Sequence, residues 1–341
     1  FMNDEWKPIP SSIIAEGDDI WNGAGDRGDG AMIAYGAARY ALTRSDKAEA
    51  EELWPLIEWC LEYCERQIND KGVVKSDKDE LEGRFPAGDA NLCTSTLYYD
   101  ALLSAAYLGK ELGKSPKVVA DYQRRAKAMR QAIESHFGAN VKGYETYRYY
   151  EGNDILRSWI CMPLCVGIYD RAEATMDAMF KSDLFTRDGL LTAQGSTTFW
   201  DRSTLYAFRG AYAAGYADFI TEHLAYYSNR RLLGDHVPYP IEAWPEGSQR
   251  HLSAESGLYC RIITEGMFGI RPTGMRSFEL KVEIPADWEF AFLRHIRAFG
   301  ADFDIEAKRT AKGKMQITIS EQGGKVQTFN VKPGTLINVK L

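Results

Sequence analysis

The chain has 341 residues, 45% of them hydrophobic and 26% charged, which is ordinary for a globular protein and enough for one large domain plus a small one. Its 41 basic and 48 acidic residues leave a net charge of −7 with no basic stripe, so nucleic acid is not an expected partner. No apolar run approaches the roughly 20 residues that cross a bilayer. The N-terminal F-M-N-D-E-W carries no leader pattern, so the compartment, cytoplasm or cell envelope, is not readable from this end.

Helical periodicity predicts segments at 30–43, 46–69, 91–112, 116–137, 158–168, 171–182, 203–214, 217–233 and 253–268. The connections near 44–45, 113–115, 169–170 and 215–216 are short. Those near 70–90, 138–157, 183–202 and 234–252 are long, and they hold most of the Gly, Trp and clustered charge. Short and long connections alternate, which in a ring of helical hairpins puts every long loop at one end. Loops beyond about 12–15 residues in a compact domain are usually functional. The long loops are therefore expected to build one composite site, joined by the Gly-rich stretch 17–29.

After Pro272 the period changes from helical to alternating. Segments near 277–284, 290–298, 302–309, 314–320, 325–331 and 335–340 read as strands separated by Pro, Asp or Gly turns. The expected organisation is a helical domain over 1–272 and a small antiparallel β domain over 273–341, with no catalytic cluster in the latter.

The aromatic content is 12%, with 8 Trp and 19 Tyr, a richness that suits carbohydrate clefts and large helical cores alike. The cysteines are Cys60, Cys64, Cys93, Cys161, Cys165 and Cys260. Two pairs sit one helical turn apart, but without an accompanying His or third Cys they read as buried apolar thiols rather than a metal site or disulfide framework. The five His residues show no H-x-x-x-H or H-E-x-x-H spacing, so no metal is expected. The G-x-G-like run near Gly28 lacks a preceding strand and a following Lys-Ser/Thr, so no nucleotide cofactor is expected either.

The most informative stretch is P-Y-P-I-E-A-W-P-E-G, residues 238–247. Its three prolines forbid a regular helix or an interior strand, so it reads as a rigid loop between helices. It sets Glu242 and Glu246 among Tyr239, Trp244, Arg250 and His251, a mixture of carboxylates and aromatic faces suited to gripping a sugar and activating water.

Three stretches carry a family resemblance. They are R-G-D-G-A-M-I-A-Y-G-A-A-R-Y-A-L-T-R-S-D (27–46) running on to W-P-L-I-E-W-C-L-E-Y (54–63), then G-D-A-N-L-C-T-S-T-L-Y-Y-D-A-L (88–102), and E-A-W-P-E-G-S-Q-R-H-L-S-A-E-S-G-L-Y with E-G-M-F-G-I-R-P (242–259, 265–272). With the alternating hairpins and the closing β unit, they resemble the six-hairpin glycosidases, (α/α)6 toroids, and among them the bacterial α-L-rhamnosidases. The resemblance implies a carbohydrate substrate and hydrolysis by inversion. It also implies that the water-activating base lies before the last helix as a Glu followed two residues on by an aromatic. Glu242 matches that position, with Glu246 as its rival.

Inversion also needs a carboxylic acid to protonate the leaving oxygen. Related toroids carry it in the loop at 70–90, which offers Glu80, Glu82 and Asp89. Arg84 beside Glu82 would lower that carboxyl's pKa where an acid needs it raised, which favours Asp89. Asp89 also reads as an N-cap of the following helix. Expected substrate contacts are Glu82, Asp26, Asp29, Asp154, Arg157, Trp200, Asp201, Arg202, Tyr239, Trp244, Glu246, Arg250 and His251. For Asp29 an N-cap is the competing reading, and for the Asp154–Arg157 and Trp200–Arg202 clusters it is loop ion pairing. A toroid has twelve helices and this chain nine before its strands, so the count implies part of a longer enzyme, in whose plan the acid motif lies upstream of Phe1. A polysaccharide lyase or sugar epimerase, with Tyr or His as acid/base, and a non-catalytic sugar-binding protein are the alternatives.

Overall fold

The computed structural model describes residues 2, 4, 6, 13–14, 20–21, 28–76, 86–233, 239–240, 243–244, 253–311 and 313–341. Contacts divide the chain into one unit of Phe1–Ala41 with Lys47–Ile155 and a second of Leu42–Asp46 with Leu156–Leu341. The change from helical to alternating sequence at Pro272 falls inside the second unit.

The first unit holds the short strands β1 (Ile13–Ile14) and β2 (Ile20–Trp21), then helices α1 (Asp29–Arg44), α2 (Lys47–Arg66), α3 (Leu92–Glu111) and α4 (Pro116–Phe137). The limits of α4 are written in its ends: the Ser115 hydroxyl accepts from the Val118 N–H at 3.3 Å, Pro116 needs no donor there, and Gly138 closes the helix. α3 is buried on nearly every face, whereas α2 and α4 bury one stripe each. Trp54 of α2 fills the gap left by Gly109 of α3, where a Cβ would lie 3.0 Å from its ring. α4 runs into a hairpin of β3 (Gly138–Val141) and β4 (Tyr144–Tyr147). Its turn residues Lys142 and Gly143 both take positive φ, 53° and 88°, as a two-residue hairpin turn matched to strand twist requires.

In the second unit a 3-10 turn, Ser158–Cys161, leads into α5 (Met162–Cys165), followed by α6 (Ala172–Phe180). The helix expected through residue 168 stops early because Gly167 turns left-handed, φ 85°, and the Ile168 N–H returns to the Pro163 carbonyl at 2.9 Å. The connection at 183–202 contains β5 (Phe185–Thr186), β6 (Gly189–Leu190) and β7 (Phe199–Trp200), the first two forming a hairpin. α7 (Asp201–Ala213) is almost wholly buried, and α8 (Ala217–Tyr227) buries one side.

After β8 (Ala243–Trp244) comes α9 (Ser253–Arg261). Both α8 and α9 widen at their ends into π turns, Ser228–Leu232 and Ile262–Met267, where uniform α-helix is expected from the period. Gly266 in the second π turn lies against the Arg209 backbone: a Cβ there would meet the Arg209 carbonyl oxygen at 3.1 Å.

The C-terminal strands are β9 (Arg271–Gly274), β10 (Ser277–Leu280), β11 (Phe290–Ala298), β12 (Ala301–Arg309), β13 (Met315–Glu321), β14 (Val326–Val331) and β15 (Ile337–Lys340). They make a three-stranded sheet, β15-β10-β9, and a four-stranded meander, β11-β12-β13-β14. Alternate residues of β12 and β13 are buried, as the period-two pattern predicts. Phe278 from the first sheet stacks on Phe299, in the turn between β11 and β12, and on Phe303 of β12, at 4.9 and 5.6 Å between ring centres.

Candidate functional site

In the first unit the described ends of the expected loop at 70–90, Asp70, Lys71 and Lys75 with Gly88, Asp89 and Ala90, form one wall of a cleft of about 500 Å³. Asn69 starts it with an Asx turn, its side-chain oxygen accepting from the Lys71 and Val73 N–H groups at 2.9 and 3.2 Å. The two ends of the loop are then stitched together: the Ser76 N–H donates to the Asp89 carbonyl at 2.9 Å, and Lys75 bridges Ala90. The connection after the β3–β4 hairpin lies alongside, with Asn91 bridging Tyr150 and the Leu92 N–H bonded to the Tyr149 carbonyl at 2.9 Å.

Gly88 makes this approach possible. It has φ 69°, and a Cβ there would sit 2.6 Å from the Tyr150 Cβ. Asp89 is thus held by its backbone while its side chain is exposed on the cleft, beside Asp70, Lys71, Lys75, His136, Tyr150 and Glu151. It does not cap α3. That role belongs to Asn91, whose side-chain oxygen accepts from the Thr94 N–H at 2.9 Å, so the capping reading of Asp89 is replaced.

His136 is the cleft residue that the sequence did not single out. It is 7% exposed, and burial, assisted by the positive charge of Arg148, holds its pKa below the ordinary value of 6.5. Only its place in the last turn of α4, before a connection expected to be functional, hinted at it.

In the second unit Ala243 and Trp244 are tied to β7, which leads into α7. β8 pairs antiparallel with β7, Trp244 opposite Phe199 and Ala243 opposite Trp200. A two-residue strand therefore stands where a loop was expected. The next residues are wired inward. Trp200 and Asp201 are each 1% exposed. Asp201 pairs with Arg231 at 3.0 Å, and Arg231 also donates to the Asp188 carbonyl at 2.8 Å. Arg202 lies 5.4 Å from the Trp200 ring centre and donates to Glu255 at 2.8 Å.

Glu255 is 0% exposed and its second carboxylate oxygen has no hydrogen-bond partner, a costly arrangement for a buried polar atom. Sequence reasoning saw it only as a favourable charge in the first turn of α9. Its partner, 53 positions away, gave no local signal.

Of the other expected residues, Asp29 is the first residue of α1 rather than its cap, and Gly28 before it, φ 81°, packs on the Thr94 side chain. Asp154 is exposed, Arg157 is 1% exposed at the start of the 3-10 turn, and Tyr239 is half-buried. Glu82, Asp26, Glu242, Glu246, Arg250 and His251 lie outside the described residues, as does the Trp244 side chain. Among the described residues that wall a second cavity of about 440 Å³, including Phe185, Phe208, Tyr226 and Tyr227, none is an expected site residue. Among the described residues no three His, Cys, Asp or Glu side chains are grouped to hold a metal, and no helix is long and apolar enough to cross a membrane.

No family model matches the sequence, and no curated protein matches it. Solved structures do. A sialidase structure superposes with a TM-score of 0.64 at 14% identity, covering 89% of this chain and 32% of its own. A rhamnosidase from a Bacillus species gives 0.55 at 12% identity over 86% of this chain and 31% of its own. The Streptomyces avermitilis α-L-rhamnosidase, solved with L-rhamnose, gives 0.50 at 11% identity over 99% and 35%.

The fold is that of the (α/α)6-toroid glycosidases. Helices dominate this toroid-type chain, and a small antiparallel β region follows them. At such identities the likeness is one of fold, and the chain spans about a third of the length of these neighbours.

Proposed function

We propose that the protein is a glycoside hydrolase that acts by inversion, with Glu242 as general base and Asp89 as general acid. The observation that supports this reading best is the β7–β8 pairing, which fixes the backbone immediately after Glu242 against Phe199 and Trp200, just before α7. A base must hold a water at one angle to the anomeric carbon, and a backbone that is paired from the next residue along the chain, Ala243, favours that. The Asp89 backbone is likewise held, by Gly88 packing and the Ser76 hydrogen bond, while its carboxyl faces the cleft.

In this mechanism Glu242 takes a proton from water as the water attacks the anomeric carbon, and Asp89 gives its proton to the departing oxygen. The product therefore has the opposite anomeric configuration. The two carboxyl groups of such enzymes stand about 6.5–9.5 Å apart, leaving room for the water. Since two of the neighbours are rhamnosidases and one a sialidase, terminal deoxysugar and acidic-sugar glycosides head the substrate panel. The test is hydrolysis of aryl glycosides, α-L-rhamnoside first, with the anomer of the released sugar followed by proton NMR before mutarotation.

A second reading is favoured by His136. A buried imidazole that stays neutral near pH 7, lining the same cleft as Tyr150, is equipped to abstract a proton as in a lyase or epimerase. Unsaturated or epimerised products, lost in His136→Gln and kept in Glu242→Gln, would select it.

A further inference from the structure

We propose that the cavity of about 440 Å³ between the β5–β6 hairpin and α8 is a sugar-binding site, taking a neutral pyranose against aromatic rings and beneath charges of opposite sign. It shares no residue with the proposed catalytic pair and does not rest on that reading, so binding here and hydrolysis can fail separately.

The deepest lining residues are Phe208 of α7 and Tyr227 of α8, 1% and 3% exposed and set edge to face at 5.9 Å between ring centres. Phe185 of β5 and Tyr226 of α8 are more open, the first half-buried and the second exposed. The hairpin is fastened at three points around them. The Leu190 N–H donates to the Thr204 hydroxyl at 3.0 Å, the Asp188 carboxylate accepts from Arg230 at 2.6 Å, and the Asp188 carbonyl accepts from Arg231 at 2.8 Å. Gly189 seats the hairpin directly on α7: its φ is 130°, and a Cβ there would lie 2.8 Å from the Thr204 Oγ1. The cavity is therefore pre-formed, as small-ligand sites of about 300–1,000 Å³ usually are.

Polar groups join the rings. Arg187, at the hairpin turn, places its guanidinium 5.3 Å from the Tyr226 ring centre and donates from Nε to the Tyr226 hydroxyl. Glu222, one turn before Tyr226 on α8, is exposed and brings a carboxylate to the same cavity. His223 lines it too, and its Nδ1 lies 3.1 Å from the Phe219 carbonyl. A carbonyl only accepts, so Nδ1 carries the proton and Nε2 of the neutral ring is an acceptor. The imidazole is held in place by Phe185 and Phe219, at 4.9 and 4.5 Å between ring centres.

These groups narrow the ligand class. A purely apolar ligand would strip water from Arg187 and Glu222 and return no hydrogen bond. An anion would meet the charge of Glu222, and a cation that of Arg187, each with a like-charge penalty. A neutral pyranose avoids both costs. Its C–H faces pack on the aromatic rings, while its hydroxyls accept from Arg187 and donate to Glu222 in charge-assisted hydrogen bonds.

The experiment is a saturation-transfer NMR titration of the whole chain. The probes are methyl α-L-rhamnopyranoside, methyl β-D-galactopyranoside and methyl β-D-glucopyranoside, with benzyltrimethylammonium and benzoate as charged controls. At least one glycoside should bind. Its affinity should fall at least about tenfold in Tyr226→Ala and in Glu222→Ala, both changes at exposed positions that leave the core intact. Tyr226→Phe, which keeps the ring, should lose less than about threefold. Binding of no glycoside, binding of the charged controls alone, or affinity unchanged in the two alanine variants would overturn the proposal. Equal losses in Tyr226→Phe and Tyr226→Ala would contradict the packing on the ring. Hydrolysis of aryl glycosides without this binding would overturn the site and leave the hydrolase reading standing, and binding without hydrolysis would do the reverse.

Discussion

Arg202, the second residue of α7, reaches Glu255 in the first turn of α9, Nε to Oε1 at 2.8 Å, and the carboxylate it meets is wholly buried. Two helices far apart in sequence are joined here beside the strand that carries Ala243 and Trp244. A buried carboxylate needs its donor more than an exposed one does, because removing one partner strands the other in a low dielectric.

Arg202→Met should therefore destabilise the fold by about 3–5 kcal/mol, the range for stranding one member of a buried pair. Urea denaturation should show a lower midpoint at unchanged slope. Glu255→Gln keeps an oxygen for Arg202 and should cost clearly less. Equal losses in the two variants would mean that the carboxylate charge, not the hydrogen bond to Arg202, matters to stability.

His136 gives stability a definite pH dependence. Its folded pKa lies below the unfolded value of 6.5, so the unfolded chain binds the extra proton more readily. Its neutral form supports the fold fully above pH 6.5, and that contribution falls away as pH drops from 6.5 through the folded pKa. Chemical denaturation between pH 7.5 and 5 should show this fall, and His136→Gln should flatten it. An identical slope in the variant would remove His136 as its source.

Gly88→Ala tests how firmly the Asp89 segment is held. The new methyl would meet Tyr150 at 2.6 Å with the backbone at a left-handed φ, so a loss of more than about 1 kcal/mol is expected. Tyr150→Ala should relieve the clash but not the φ strain, restoring part of the loss in the double variant. Full stability in Gly88→Ala would show that the cleft wall yields.

The sequence made helix positions clear wherever their ends carry chemistry. Ser115, Pro116 and Gly138 mark α4 without tertiary help, and the alternating strands after Pro272 announce themselves by period. Short hairpins did not: β5 and β6 are two residues each, too brief for any period to register. The second π turn brings Gly266 against Arg209, which is a contact between elements. The site was legible as loops rich in carboxylates and aromatics. What could not be read was which of those side chains would be buried. Asp201 looks like its exposed neighbours in a string of letters, and only Arg231, 30 positions on, shows that its carboxylate is committed to the interior.

Water activation by Glu242 is read out by the steady-state hydrolysis of an aryl glycoside that the native protein cleaves, compared with Glu242→Gln at equal folded concentration. A loss of kcat of at least about 10²-fold with KM little changed is expected, as for removal of a general base. Hydrolysis by Glu242→Gln at the native rate would contradict it.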